Sequence, residues 1–419
     1  MIYIINKPYN QGLYVQWVDM LKATNLPYES IVIDNLEIDM NFDEYLSKQK
    51  QIDYINSKCK PEDTLIIDSS FTRKANGEHL PYPQLYEFSK KLNSENIIVM
   101  HPDTGYSAND AYSKNKLKII SPTYSLKNWS DDTIKDSYNF YLFNGGYQDL
   151  RWLSKMVFHR YEQMLRAKKF LSHNGVYKIQ RTLIQKTLED NDLMKDSFFS
   201  YNAYNIFDEN CNHNKDWEID YKNFTQILFN RDVNPSLRLD EFIEQDIKPY
   251  YTNEEHEALL KQLPVVLDYI PNLSNVDQYA FTLPYTSNSY VEIIGCTSLS
   301  GDGDEIYTSE KIFKPFMAFL IPIFIGQKGL IEVLQKLGFK LDFDGLVDLS
   351  YDKIDCHLTR TKMALENIKE IGKLSTKQLH SRYWRCREDL QHNQELMKSL
   401  SHRQVVAFKK IINKQYDNK

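Results

Sequence analysis

Short apolar runs alternate with amphipathic segments from the first residue onward, and few architectures can absorb that pattern. Met1–Ile5 reads as a strand and is followed by a helical pattern near Leu13–Ala23. Ser30–Asp34 and Thr64–Asp68 are the next apolar runs, separated by an amphipathic stretch near Asp43–Ser57. Tyr82–Leu92 is helical in pattern, and Ile97–Met100, Leu117–Ile120 and Tyr138–Phe143 continue the series. The alternation predicts an open, mostly parallel sheet with helices on both faces. In such α/β sheets ligands bind beyond the carboxyl ends of the strands.

The residues just past those ends are therefore the first candidates for chemistry. They are Asp68, Ser69 and Ser70 after the third run; His101, Asp103 and Thr104 after the fourth; and Asn144, Gly145 and Gly146 further on. Asp103, His101 and Asp68 are candidate catalytic residues, with Asp103 or His101 placed to act as a general base on an acceptor hydroxyl. The competing reading is that these are turn and cap residues, since Asp, Asn, Ser and Gly are what any strand-to-helix turn requires.

Two stretches in the second half carry an electrostatic misfit. In Ile306–Gly326, Ser309 is placed as an N-cap, Ile312, Phe313, Phe316, Phe319 and Leu320 share a helical face, and a buried strand ends at Gly326. Lys311 and Lys314 then sit one turn apart near the helix start, where the macrodipole and free amides favour anions over cations. Upstream, Lys168–Ser172 reads as a strand, His173-Asn174-Gly175 as a turn, and Ile179, Leu183, Ile184, Thr187 and Leu188 as a buried helical stripe. Lys178 and Arg181 lie near that helix start. Two strand–turn–helix units with cationic starts suggest a clamp for a diphosphate, against the alternative of ordinary solvated side chains.

The chain's 419 residues suit two domains with full cores. The expected division is residues 1–166, then 167–372 with an insertion at about 202–275, then C-terminal helices over 373–419. Within the second part, further helices are expected at Lys328–Leu337 and Ile354–Gly372, and the C-terminal pattern runs over Lys377–Leu400 into a basic end. A net charge of −6 argues against a broad basic surface without excluding a local basic cleft. Five cysteines, at 59, 211, 296, 356 and 386, are scattered singly and read as reduced thiols. The N-terminal run is too short for a signal peptide, and no stretch approaches the ~18 apolar residues of a membrane span. The expectation is a soluble, cytoplasmic protein.

The segment from Tyr290 to Gly326 resembles the nucleotide-sugar-binding motif in the C-terminal domain of the family 10 fucosyltransferases: an acidic strand, a Thr-Glu-Lys helix start, and an apolar run closing in Pro-x-x-x-Gly. Here Ser309-Glu310-Lys311 stands at the Thr-Glu-Lys place, Pro322 and Gly326 close the run, and Glu292 is the acid of the strand. The stretch from Leu171 to Asn202 looks like the Asn-Gly…Arg segment of phage-encoded glycosyltransferase-like sequences, which share the Glu-Lys-x-x-Lys-Pro-Phe form. The resemblance covers roughly residues 168–350 without the insertion.

It implies the GT-B fold, two Rossmann-like domains facing a cleft, and a donor set of Asn174, Gly175, Lys178, Arg181, Glu292, Ser309, Glu310, Lys311 and Lys314. Within it, Glu310 meets the ribose while Lys311 and Arg181 meet the diphosphate. Pro315 departs from the family pattern; it removes an amide and is expected to kink the helix.

The implied activity is transfer of a sugar from a nucleotide sugar to a hydroxyl. The nucleotide-diphosphate sugar is a co-substrate, and no further cofactor is expected. Gly301-Asp302-Gly303-Asp304-Glu305 has the look of an Asp-x-Asp metal loop, but fixed cations can neutralise a diphosphate, and no metal is expected. The phage-like motifs point to hydroxymethylcytosine in DNA as the leading acceptor, with Arg382, Arg385, Arg387, Arg403, Lys409, Lys410, Arg73 and Lys74 as the basic candidates. A saccharide acceptor, as for a fucosyltransferase, and a non-catalytic nucleotide- or glycan-binding module are the alternatives.

Overall fold

The computed structural model describes residues 1–6, 25–32, 49–68, 89–100, 117–120, 123–125, 164–174, 179–201, 283–296, 299 and 305–413. The chain divides into two units. Met1–Gly146, Asn272–Ala280 and Lys398–Lys419 form the first, and Tyr147–Pro271 and Phe281–Met397 form the second. Outside the described residues lie the helix expected at Leu13–Ala23, residues 82–88 of that at Tyr82–Leu92, the strand at Tyr138–Phe143 and the insertion. Met164–Arg166, just ahead of the second unit's first strand, are not helical.

The first unit carries β1 (Ile2–Asn6), β2 (Tyr28–Val32), α1 (Gln49–Lys58), β3 (Thr64–Asp68), β4 (Asn96–Met100) and β5 (Leu117–Ile120). All neighbouring strands are parallel, in the order β2-β1-β3-β4-β5. The described apolar runs expected as strands are strands, though β2 begins two residues early, at Tyr28. Parallel neighbours need crossovers, and α1 is part of the one between β2 and β3, its Ile52 and Ile55 both buried. The chain steps from β1 outward to β2 and then returns past β1 to β3. That reversal makes a switch point, and Asp68 closes β3 there, its backbone opposite Met100 of β4.

The second unit carries β6 (Lys168–Asn174), α2 (Ile179–Asp190), β7 (Ser197–Tyr201), β8 (Ser289–Gly295), α3 (Glu310–Met317) and β9 (Ile321–Ile325). Helices α4 (Leu330–Lys336), α5 (His357–Lys373), α6 (Thr376–Arg385) and α7 (Arg387–Asn413) follow, the last reaching into residues of the first unit. The sheet is again parallel, ordered β9-β8-β6-β7. Numbered by appearance within the unit this is second, first, third, fourth: the order of the first unit's leading four strands. Its switch point lies between β6 and β8.

Register fixes which residues share a face, because side chains alternate along a strand. Leu171 and Pro322 both lie opposite Glu292, so Glu292, and with it His173 two residues beyond Leu171, project to one face. Asn174 and Gly295 belong to the other. Phe316 of α3 packs against Phe324, and Tyr290 against His380 and Tyr383 of α6, which puts α3 and α6 on the Glu292 face. Arg181 and Ile184 of α2 pack over Gly295 on the opposite face. Right-handed crossovers that leave the switch point in opposite directions require this arrangement.

Two local expectations are corrected. His173 and Asn174 are not in a turn; they are the last residues of β6, paired in register with Ser200 and Tyr201. Helix α3 runs unbroken from Glu310 to Met317 through Pro315. It closes at Phe319, whose φ of 54° is left-handed, with the Leu320 amide donating to the Pro315 carbonyl at 2.9 Å.

Candidate anion-binding site

Helix α2 is buried on more than its apolar stripe. Gln180, Arg181, Thr182 and Gln185 are all buried beside Leu183, Ile184 and Leu188. Burying polar groups costs free energy unless they are bonded, and here the first turn is spent on the ends of the strands. Gln180 Nε2 donates to the Cys296 carbonyl, Arg181 Nε to the Gly295 carbonyl at 3.3 Å, and Thr182 Oγ1 and the Tyr201 hydroxyl lie 3.1 Å apart. Gly295 permits this: a Cβ there would stand 2.6 Å from Arg181 Cγ. Arg181, 2% exposed, is therefore fixed at the carboxyl end of β8, where a low local dielectric strengthens its field.

Helix α3 reaches the same edge from the other face. Ser309 occupies the N-cap with extended backbone, φ −96° and ψ 173°, yet its hydroxyl makes no capping bond and is buried without a partner. The cap position is as expected; the capping bond is absent, so the serine does not occupy the first-turn amides. Lys311 and Lys314 are both half-buried. Lys314 falls in the last turn of this short helix, so Lys311 alone opposes the helix dipole.

Glu292 sits inside a central parallel strand, where near-continuous apolar residues are the rule. Its neighbours Tyr290, Val291, Ile293 and Ile294 are buried and it is half-buried. Burial pushes its carboxyl from 4.5 up to about 7, against the pull of Lys314 and Lys311. His173, half-buried at the end of β6, is pushed from 6.5 down to about 4 by burial and then by the same two lysines. The Cys296 thiol just past β8 feels both Arg181 and Lys311, though burial dominates and pushes it up to about 12, out of reach as a nucleophile. The cations of α2 and α3 thus act on one point beyond β8. A carboxyl and an imidazole with strongly displaced pKa values, beside three cations at a switch point, mark a functional-site candidate.

Of the residues expected to bind a donor, Arg181, Ser309 and Lys311 are gathered at the carboxyl edge of this sheet, with Lys314 further along α3 and Glu292 mid-way along β8 on the face that α3 covers. Asn174 is at that edge too, its Nδ2 donating to Ser172 Oγ at 3.0 Å and its Oδ1 buried without a partner. Glu310 opens α3, with its side chain outside the described residues, as are Gly175 and Lys178 entirely. His101 and Asp103 also lie outside them, and so do Asp302 and Asp304. Asp68 is described only as the backbone end of β3. Among the described residues no group of three or more His, Cys, Asp or Glu is arranged to hold a metal. His173 was missed because His-Asn-Gly reads as a turn; the two lysines opposite it on α3 were the signal available.

Two other buried charges, Arg360 and Asp352, are bonded to the main chain. Arg360 donates to the Gly326, Ile354, Asp355 and Leu299 carbonyls, and Asp352 accepts from the Ile331 and Glu332 amides at the start of α4. A groove of about 520 Å3 between α2 and α5 runs along the later turns of α2, away from the cationic first turn. On α6, Arg385 pairs with the Asp344 carboxylate at 2.7 Å and Arg382 donates to the Asp344 carbonyl. Arg403 is exposed, and the Arg73 and Lys74 candidates lie outside the described residues. Cys59, Cys296, Cys356 and Cys386 are free thiols, and no described helix is long and apolar enough to cross a membrane. No family model, curated protein or solved structure matches this chain.

Proposed function

We propose that this chain is a nucleotide-sugar-dependent glycosyltransferase of GT-B type, whose second unit holds the donor. The observation that carries the reading is the convergence of Arg181 from α2 and Lys311 from α3 on the switch point between β6 and β8. Glycosyl transfer breaks the bond between the anomeric carbon and a phosphate oxygen, and charge grows on the departing diphosphate. Fixed cations and helix N-termini stabilise that charge without reorganising. In this reading Lys311 and Lys314, both half-buried, contact the phosphates, and buried Arg181 supports them through its field. Glu292 and Glu310 are the acceptors available to ribose hydroxyls.

The first unit is the natural place for the acceptor, and Asp68, at the switch point of its sheet, is the candidate base with the best-defined backbone position. Hydroxymethylcytosine in DNA remains the leading acceptor, although Arg382 and Arg385 are engaged by Asp344 and contribute less to a basic surface. The test is incubation of the full chain with UDP-, GDP-, ADP- and dTDP-sugars and, in parallel, hydroxymethylated DNA or oligosaccharides, with mass spectrometry of the products. A mass increase of one sugar on either acceptor supports the reading, and its location names the acceptor. Nucleotide binding with neither transfer nor donor hydrolysis favours a binding module instead.

A further inference from the structure

The donor site contains a pair that the diphosphate clamp does not use. Glu292 and His173 project from adjacent strands to the same face of the sheet, and the charged groups acting on both are Lys314 and Lys311 of α3. Strand β9, packed beside Glu292, reads Ile-Pro-Ile-Phe-Ile, and β7, beside His173, reads Ser-Phe-Phe-Ser-Tyr, so neither adds a carboxylate or a cation. From α6, His380 and Tyr383 face Tyr290, with Arg166 against the same two tyrosine rings. The buried unpartnered Ser309 Oγ and Asn174 Oδ1 stand at the same edge of the sheet. A carboxylate is a poor neighbour for a phosphate, and an imidazole beside two ammonium groups is a poor place for a proton. Each difficulty is relieved by a single event.

We propose that the crevice takes up its phosphate ligand together with a proton, held by the Glu292–His173 pair, and that His173 donates a ring hydrogen bond to the phosphate. This deepens the donor-binding reading and rests on it. A dianion next to the lysines cancels the repulsion they exert on His173 and adds repulsion on the Glu292 carboxylate. Both changes favour the protonated form. Glu292, near half-protonated at neutral pH in the empty site, is the first group to fill. The proton comes from solvent and returns to it when the ligand leaves, so no bond is made or broken.

By linkage, affinity must fall as pH rises above 7, by up to about tenfold per pH unit for one proton. The terminal phosphate has its second pKa near ~6, so between pH 7 and 9 the ligand's own titration adds little.

The experiment is calorimetry of the full chain with UDP, GDP and ADP at pH 7, 8 and 9, repeated at pH 7.5 in phosphate-free buffers of different ionisation enthalpy. The proposal expects net proton uptake and weakening toward pH 9. Glu292→Gln, a neutral isostere, should cut the uptake to under half that of the native chain and flatten the pH dependence. Imidazole resonances of the labelled native protein, assigned with His173→Gln, should show the His173 pKa rising on ligand addition. Binding without proton uptake and without a pH slope overturns this proposal and leaves the donor-binding reading standing. Failure of every phosphate probe to bind overturns both.

Discussion

Two residues decide the edge where the ligand is proposed to sit. At Gly295 a methyl group would occupy space already held by Arg181 Cγ at 2.6 Å, so Gly295→Ala must displace the guanidinium or the strand end. Overpacking of this kind costs about 1–3 kcal/mol. A lowered melting midpoint with weakened nucleotide binding is expected, and an unchanged protein would show that α2 is free to shift. Glu292 makes a separate prediction about pH. Its folded pKa lies above the ordinary 4.5, so folding binds a proton more tightly than the unfolded chain does. The cost of its charge is absent below about pH 4.5, grows as pH rises toward 7, and is complete above it. Glu292→Gln should therefore stabilise the ligand-free protein at pH 8, by about 1–3 kcal/mol, and change little at pH 4.5. Denaturant melts at the two pH values check the sign. His173 runs the other way: its neutral form is favoured, and stability is lost as pH falls from 6.5 toward 4.

At the scale of elements, α3 is held at both ends by groups from elsewhere in the second unit. Its entry is fixed by Gln327, whose Oε1 accepts from the Tyr307 amide at 2.9 Å. Its exit, Phe319, offers a carbonyl to the Tyr383 hydroxyl of α6 at 2.6 Å. Arg166 donates to the same hydroxyl and lies over the Tyr383 and Tyr290 rings, its centre 4.4 and 5.5 Å from them. Tyr383→Phe removes the hydroxyl from a fully buried site, and with it one donor to the Phe319 carbonyl and one acceptor for the Arg166 guanidinium. Loss of about 1–3 kcal/mol is expected, with nucleotide affinity reduced because α3 is less firmly placed. A melt within experimental error of the native chain would contradict that role.

The apolar alternation foretold β1, β3, β4 and β5, and the stripe from Leu183 to Leu188 foretold α2, because burial on a regular period is a local signal. The buried Gln180, Thr182 and Gln185 on that helix were not foretold. Their partners come from strand ends far away in the chain, and no local pattern encodes them. His173 was misread for the same reason, since pairing with Ser200 carries β6 past a sequence that resembles a turn.

For the whole molecule, strand order was the least legible feature in the sequence. The two units share the order second, first, third, fourth without a sequence repeat that announces it, because parallel pairing joins residues as distant as Leu171 and Glu292. That order is what turns two separate cationic helix starts into one site, and it makes a prediction about metal. With Arg181, Lys311 and Lys314 available to balance a diphosphate, binding should persist in EDTA. Loss with chelator, restored by Mn²⁺, would assign the neutralising charge to an ion.

The most direct measurement is calorimetric titration of the full chain and of Lys311→Ala with UDP, GDP, ADP and dTDP, alongside a thermal melt of each protein. Lys311 is half-buried and outside the apolar core, so its removal should leave the melting midpoint nearly unchanged. At least one nucleoside diphosphate should bind the native chain, and the variant should bind it about tenfold or more weakly, the worth of one charge-assisted contact. Equal affinity in the two proteins, or no binding of any diphosphate by the native chain, would contradict the placement of a donor at the β6–β8 switch point.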